Sequence, residues 1–72
     1  MIDLKNGYLT DGTNYADIDD IVHIEKNHPE TFLVSVRDGK EVEVITFYGN
    51  SADMIKAIEL QNAYVDSLAG IQ

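Results

Sequence analysis

The chain has no cysteine, no tryptophan, one proline, two histidines and only five basic residues among its 72. Each shortage excludes something. Without cysteine there is no disulfide staple and no thiolate-bound metal, and the composition suits a compartment that is reducing or indifferent. His23 and His28 flank a turn without the H-E-x-x-H spacing of a helical zinc site, and no third ligand lies nearby. The glycines at 7, 12, 39, 49 and 70 are isolated and build no phosphate-binding loop. Ser35, Ser51 and Ser67 lack the G-x-S-x-G setting of an exposed nucleophile. Lys5, Lys26, Arg37, Lys40 and Lys56 are scattered, whereas counterion-release binding to nucleic acid or an anionic membrane needs them clustered. No uninterrupted apolar run resembles a signal peptide or a spanning helix. The expectation is a cytoplasmic, non-enzymatic protein with no cofactor, no metal, no direct nucleic-acid contact and no membrane contact.

What the chain does have is acid. Thirteen carboxylate side chains against five basic ones give a net charge of −8. A basic protein surface is the natural complement of such a chain, although acidity is also an ordinary route to solubility. The densest cluster is Asp17-Ile18-Asp19-Asp20. A calcium loop of the D-x-[DN]-x-[DN]-G-x₅-E type fails from Asp11, because Thr13 and Tyr15 fall on ligand positions and the glycine is misplaced. A solvated acidic loop is the plain reading of Asp17–Asp20, and a weak divalent-cation site is the alternative.

The strongest structural signal is Thr31–Tyr48, two runs rich in Val, Ile, Phe and Thr around Asp38-Gly39. A loop of Asp38 and Gly39 alone would place Glu41 and Glu43 on the face of Phe32, Val34 and Val36. A three-residue loop, Arg37-Asp38-Gly39, instead gives a core face of Phe32, Val34, Val36, Val42 and Val44. The opposite face is then Leu33, Ser35, Glu41, Glu43, Ile45 and Phe47, acidic near the turn and apolar further down.

Upstream, Met1–Leu4 alternates like a strand start, Asn6-Gly7 and Asp11-Gly12 mark turns, and Tyr8–Thr10 with Asn14–Ala16 reads as a short hairpin. Asp17–Asp20 reads as irregular. Ile21–Lys26 is a further strand, followed by a turn over Asn27-His28-Pro29-Glu30. Downstream, Asn50 or Ser51 can cap a helix over Ala52–Leu68, with Gly70 as its stop. Its apolar stripe is Met54, Ile55, Ala57, Ile58, Gln61, Val65 and Leu68, with Leu60 and Tyr64 on a flank. The expected fold is α+β: one domain over residues 1–72, a small antiparallel β-meander of three to five strands packed by one C-terminal α-helix. A core of this size rarely supplies more than about 3–5 kcal/mol alone, which makes self-association a live alternative.

Asn6-Gly7, Asp20-Ile21, Ile24-Glu25, Pro29-Glu30-Thr31 and Asp38-Gly39-Lys40, followed by alternating valines and a helix, resemble the FlbD-type small flagellar proteins. The chain departs from that pattern in its longer Asp11–Asp20 segment and its acidic helix. The resemblance implies a small accessory protein without enzymatic activity.

The leading functional expectation is a protein-interaction module that occupies a basic protein surface. Its concrete form is a phage- or mobile-element-encoded inhibitor of a nucleic-acid-binding host protein, of the anti-CRISPR kind. Asp17, Asp19, Asp20, Glu41 and Glu43 would supply the charge. Ile45, Phe47, Leu60 and Tyr64 would supply apolar contact, to a partner or to a second copy in a homodimer. The alternatives are an oligomeric structural or regulatory accessory protein and a cation binder.

Overall fold

The structure is a computed structural model that describes residues 1–69. The expected helix stop at Gly70 lies outside the described residues. Strands β1 (Asp3–Lys5), β2 (Tyr8–Thr10) and β3 (Tyr15–Asp17) are followed by a 3₁₀ turn, Ile18–Asp20. Then come β4 (Ile21–His28), β5 (Thr31–Asp38), β6 (Glu41–Tyr48) and helix α1 (Ser51–Ala69). The class is α+β, as the patterning indicated. Among the described residues there are six strands, which form two antiparallel meanders, β1-β2-β3 and β4-β5-β6, in place of the single meander of three to five strands expected.

The first meander is built on Asn6-Gly7. Both residues take positive φ, 52° and 84°, the pattern of a two-residue I′ turn, and Lys5 pairs with Tyr8 across it. That register lines Leu4, Leu9 and Ala16 on one face, where Leu9 and Ala16 are buried. Chain direction then changes in the Ile18–Asp20 turn, which Asp17 caps by accepting from the Asp19 N–H at 3.1 Å. Ile18 is the one residue of this acidic stretch that enters the core.

The second meander corrects the expected register of the β5–β6 hairpin. Asp38 pairs with Glu41, so the loop is Gly39-Lys40. Gly39 has φ +65° while Lys40 does not take positive φ, which is the II′ pattern with glycine at the first central position. Phe32 then faces Phe47, Val34 faces Ile45 and Val36 faces Glu43. Phe32 and Phe47 are both 0% exposed, their rings 5.7 Å apart. Val42 and Val44, expected in the core, lie on the outer face at 58% and 54% exposure.

The three-residue loop rests on keeping glutamates off the face of core valines. The structure does not keep that rule: Glu43 shares the face of Val36 and escapes burial by its position near the turn. Glu41 sits at the turn end opposite exposed Asp38, and Glu43 lies opposite Val36, the last buried residue of β5, yet is itself exposed. Parity arguments assume a core as long as the strand. Here the core is shorter.

Helix α1 packs along β4 and β1. Its cap is reciprocal: the Asp53 N–H donates to Asn50 Oδ1 at 3.0 Å, and the Asn50 N–H donates to Asp53 Oδ2 at 3.0 Å. Ala57 is fully buried, and Met54, Leu60 and Tyr64 pack against the core around it. The buried stripe is therefore rotated toward Leu60 and Tyr64 from the one expected. Ile55, Val65 and Leu68 are about half exposed. Leucine and tyrosine reach far enough to cover the β4 side, so a flank in sequence becomes part of the packed face.

Candidate functional site

The pairing places two acidic groups, distant in sequence, at one end of the second meander. Glu43 lies opposite Val36, and Val36 lies opposite Ile21 on its other side. Ile21 is the residue directly after Asp17–Asp20. Neighbouring strands stand about 4.8 Å apart, so the backbones of Ile21 and Glu43 are roughly 10 Å apart. Asp38, directly opposite Glu41, joins the same end. Of the charges expected to make contact, Asp20 precedes Ile21 and so stands across a single intervening strand from Glu43, with Glu41 two residues nearer the turn, whereas Asp19 lies back in the 3₁₀ turn and Asp17 pairs with Tyr8 in the first meander.

The two groups differ in how free they are. Glu41 and Glu43 are exposed and have no hydrogen-bond partner among the described residues. Asp17 is half-buried and engaged as the cap of the 3₁₀ turn. Asp19 Oδ1 accepts from the Tyr64 hydroxyl at 2.7 Å. That hydrogen bond raises the Tyr64 phenol above its ordinary pKa, helped by desolvation and by the charges of Asp19 and Asp17. Gln61 Nε2 donates to the Ile21 carbonyl at 3.1 Å, so the C-terminal half of α1 closes this end of the sheet. Tyr64 is therefore part of the acidic end, through its oxygen. Leu60, on the same helix, is half-buried against the core.

Two of the residues expected to make contact are removed from the surface. Phe47 is fully buried against Phe32, and Ile45 is half-buried opposite Val34. Both were assigned to an outer face by the three-residue loop, and the true register turns them inward.

Arg37 and Lys40 stand at the same hairpin end as Asp38, Glu41 and Glu43, but neither is within ion-pair distance of a carboxylate among the described residues. Asp38 and Glu41 oppose each other directly, an unfavourable cross-strand pair. Among the described residues the sole ion-pair geometry is His23 Nε2 to Glu25 Oε2 at 4.0 Å, in β4. Lys26 directs its ammonium to the Pro29 carbonyl instead, at 3.0 Å. Among the described residues there is no pocket, and no three His, Asp or Glu side chains converge as metal ligands.

One residue was missed as structural from sequence. Asp11 joins the two meanders: its Oδ1 accepts from the N–H groups of Thr13 and Asn14, and its Oδ2 accepts from Asn14 Nδ2 and from the Tyr48 N–H on β6. Asn14 Nδ2 also donates to the Thr46 carbonyl at 3.0 Å. Burial would raise the carboxyl's pKa, but the hydrogen bonds from Asn14, Tyr48 and Thr13 outweigh it and lower the value to about 2. Asp11-Gly12 signals a turn in sequence, and nothing local signals that the turn docks on a strand thirty-odd residues away.

No protein-family model, no curated protein and no solved structure matches the chain.

Proposed function

We propose that the protein is a non-enzymatic binding module whose acidic end, Asp17–Asp20 together with Asp38, Glu41 and Glu43, occupies a basic surface on another protein. The observation that supports this reading is that Asp38, Glu41 and Glu43 stand at one end of the β4–β6 sheet with no ion pair to the neighbouring Arg37 and Lys40 among the described residues, while Asp20, next to Ile21, lies across β5 from Glu43. In its concrete form the module is a phage- or mobile-element-encoded inhibitor that mimics nucleic-acid charge on a host protein, as anti-CRISPR proteins do. Small size, a net charge of −8 and the scatter of basic residues support that form. Self-association through Leu60 and Tyr64 has less to work with, since Leu60 packs on the core and the Tyr64 hydroxyl is held by Asp19.

The test is affinity capture from host lysate with the wild type and with Glu41→Lys/Glu43→Lys, at low and at physiological salt. Neither glutamate side chain makes a hydrogen bond among the described residues, so the variant reports on charge. The expected result is capture of a protein with a basic surface by the wild type, weakened by salt and lost in the variant. Equal capture by both proteins at both salt concentrations overturns the reading.

A further inference from the structure

The free edge of β6 offers more than charge. Tyr48 sends its N–H to Asp11, and Thr46 accepts from Asn14, so these residues point their backbone groups away from β5. The Gly49 N–H bonds the Glu30 carbonyl at 2.8 Å, so the odd-numbered residues face β5. By the alternation of an antiparallel ladder, Val42 and Val44 direct both N–H and C=O outward. None of those four groups has a partner among the described residues. The Asp11–Asn14 loop covers the edge at Thr46 and Tyr48 and leaves it open from Glu41 to Ile45.

We propose that this open edge receives an extended segment of a partner protein as an added strand, one in which Lys or Arg alternates with apolar residues. The inference rests on the acidic-contact reading above and specifies how the partner is held. Backbone groups of Val42 and Val44 supply the ladder. Their side chains, exposed on the outer face, meet the apolar residues of the incoming strand. Glu41 and Glu43, on the opposite face, meet its basic residues.

Charge and geometry together select a basic segment over a second copy of the chain. Antiparallel self-pairing centred on Val42 sets Glu41 against the partner copy's Glu43. Shifted by one step, it sets Glu43 against its own counterpart. Centred on Val44, it pairs Val42 with Thr46, whose carbonyl is already held by Asn14, and runs into the docked loop. A segment with lysines in those positions turns every opposed pair attractive.

The test uses nitrogen-15-labelled protein and a short end-capped peptide in which lysine and valine alternate. The control peptide has the same composition with its lysines and valines in separate blocks. The readouts are amide shifts and hydrogen exchange. With about nine-tenths of the protein bound, exchange at the Val42 and Val44 amides slows about tenfold with the alternating peptide, because only the free fraction exchanges. The block peptide leaves those amides unprotected. Val44→Pro removes an outward N–H that bonds nothing in the fold, and it weakens the alternating peptide at least about tenfold without changing net charge. If Val44→Pro disturbs the fold, the exchange pattern of the wild type decides alone.

Shifts at Glu41 and Glu43 without protection of Val42 and Val44 overturn strand addition and leave the acidic contact standing. No response to either peptide at low salt overturns both. Protection that grows with protein concentration in the absence of peptide overturns the proposal in favour of a second copy.

Discussion

Asp11 holds the two meanders together, and its removal is the sharpest test of how the fold is joined. Its carboxylate takes four donors, two on each oxygen, at 2.6–2.9 Å. The pKa is lowered from 3.8 to about 2. A displacement of that size corresponds to roughly 2.5 kcal/mol of linkage, which partial solvent screening reduces to about 1–2 kcal/mol. Asp11→Ala also strands the Tyr48 N–H and the Asn14 side chain, so the total cost is about 2 kcal/mol. For a domain of this length that is a fall in Tm of about 8–16 °C. The sign follows from the depressed pKa. The contribution is complete above the unfolded value near 4 and is lost as pH falls toward 2. Urea unfolding of wild type and Asp11→Ala from neutral pH to about pH 2 should show a gap in midpoint that is constant above pH 4 and narrows below it. The other carboxylates titrate in both proteins, so the difference isolates Asp11. Asp11→Asn should be no better than alanine, because an amide nitrogen at Oδ2 would face two donors. Equal midpoints at neutral pH, a gap unchanged down to pH 2, or a fully stable asparagine variant would refute the account.

Two further predictions concern the hairpin and the helix. Phe47→Ala should cost about 3–5 kcal/mol and leave little folded protein, while Val44→Ala, on the exposed face, should stay within about 0.5 kcal/mol. The expected three-residue loop demands the reverse order, so a pair of denaturation curves separates the two registers. Ultraviolet titration of the tyrosinate signal should show one phenol ionising above the ordinary value of 10.0, and Asp19→Asn should bring that phenol back toward it. A titration unchanged by Asp19→Asn would mean that Tyr64 does not hold the 3₁₀ turn.

The residues that proved hardest to place from sequence were those whose position depends on where the core ends. Glu41 and Glu43 were sent to a separate face because valine parity forbade them beside Val36. The tertiary structure puts them on the same face as Val36, at its turn end, where both are exposed. With the register moved, Ile45 and Phe47 exchanged places with Val42 and Val44. Leu60 and Tyr64 were readable as neighbours on one side of a helix, and their packing depended on which way the helix leaned on β4.

The sequence by itself determined the elements and the charge. Asn-Gly at 6–7, β-branched runs on either side of Gly39, proline after His28 and a helical period after Asn50 are local instructions, each acting through the φ/ψ preferences of a few residues. Absence of cysteine rules out a disulfide and a thiolate-bound metal within these residues without any coordinates. The tertiary structure decided what lies beside what: the division into two meanders, their joining through Asp11, the placing of Asp20 across β5 from Glu43, and the open edge at Val42 and Val44. These are contacts between residues far apart in the chain. Their free energy comes from burying one particular shared surface, and no local preference records which surface that will be.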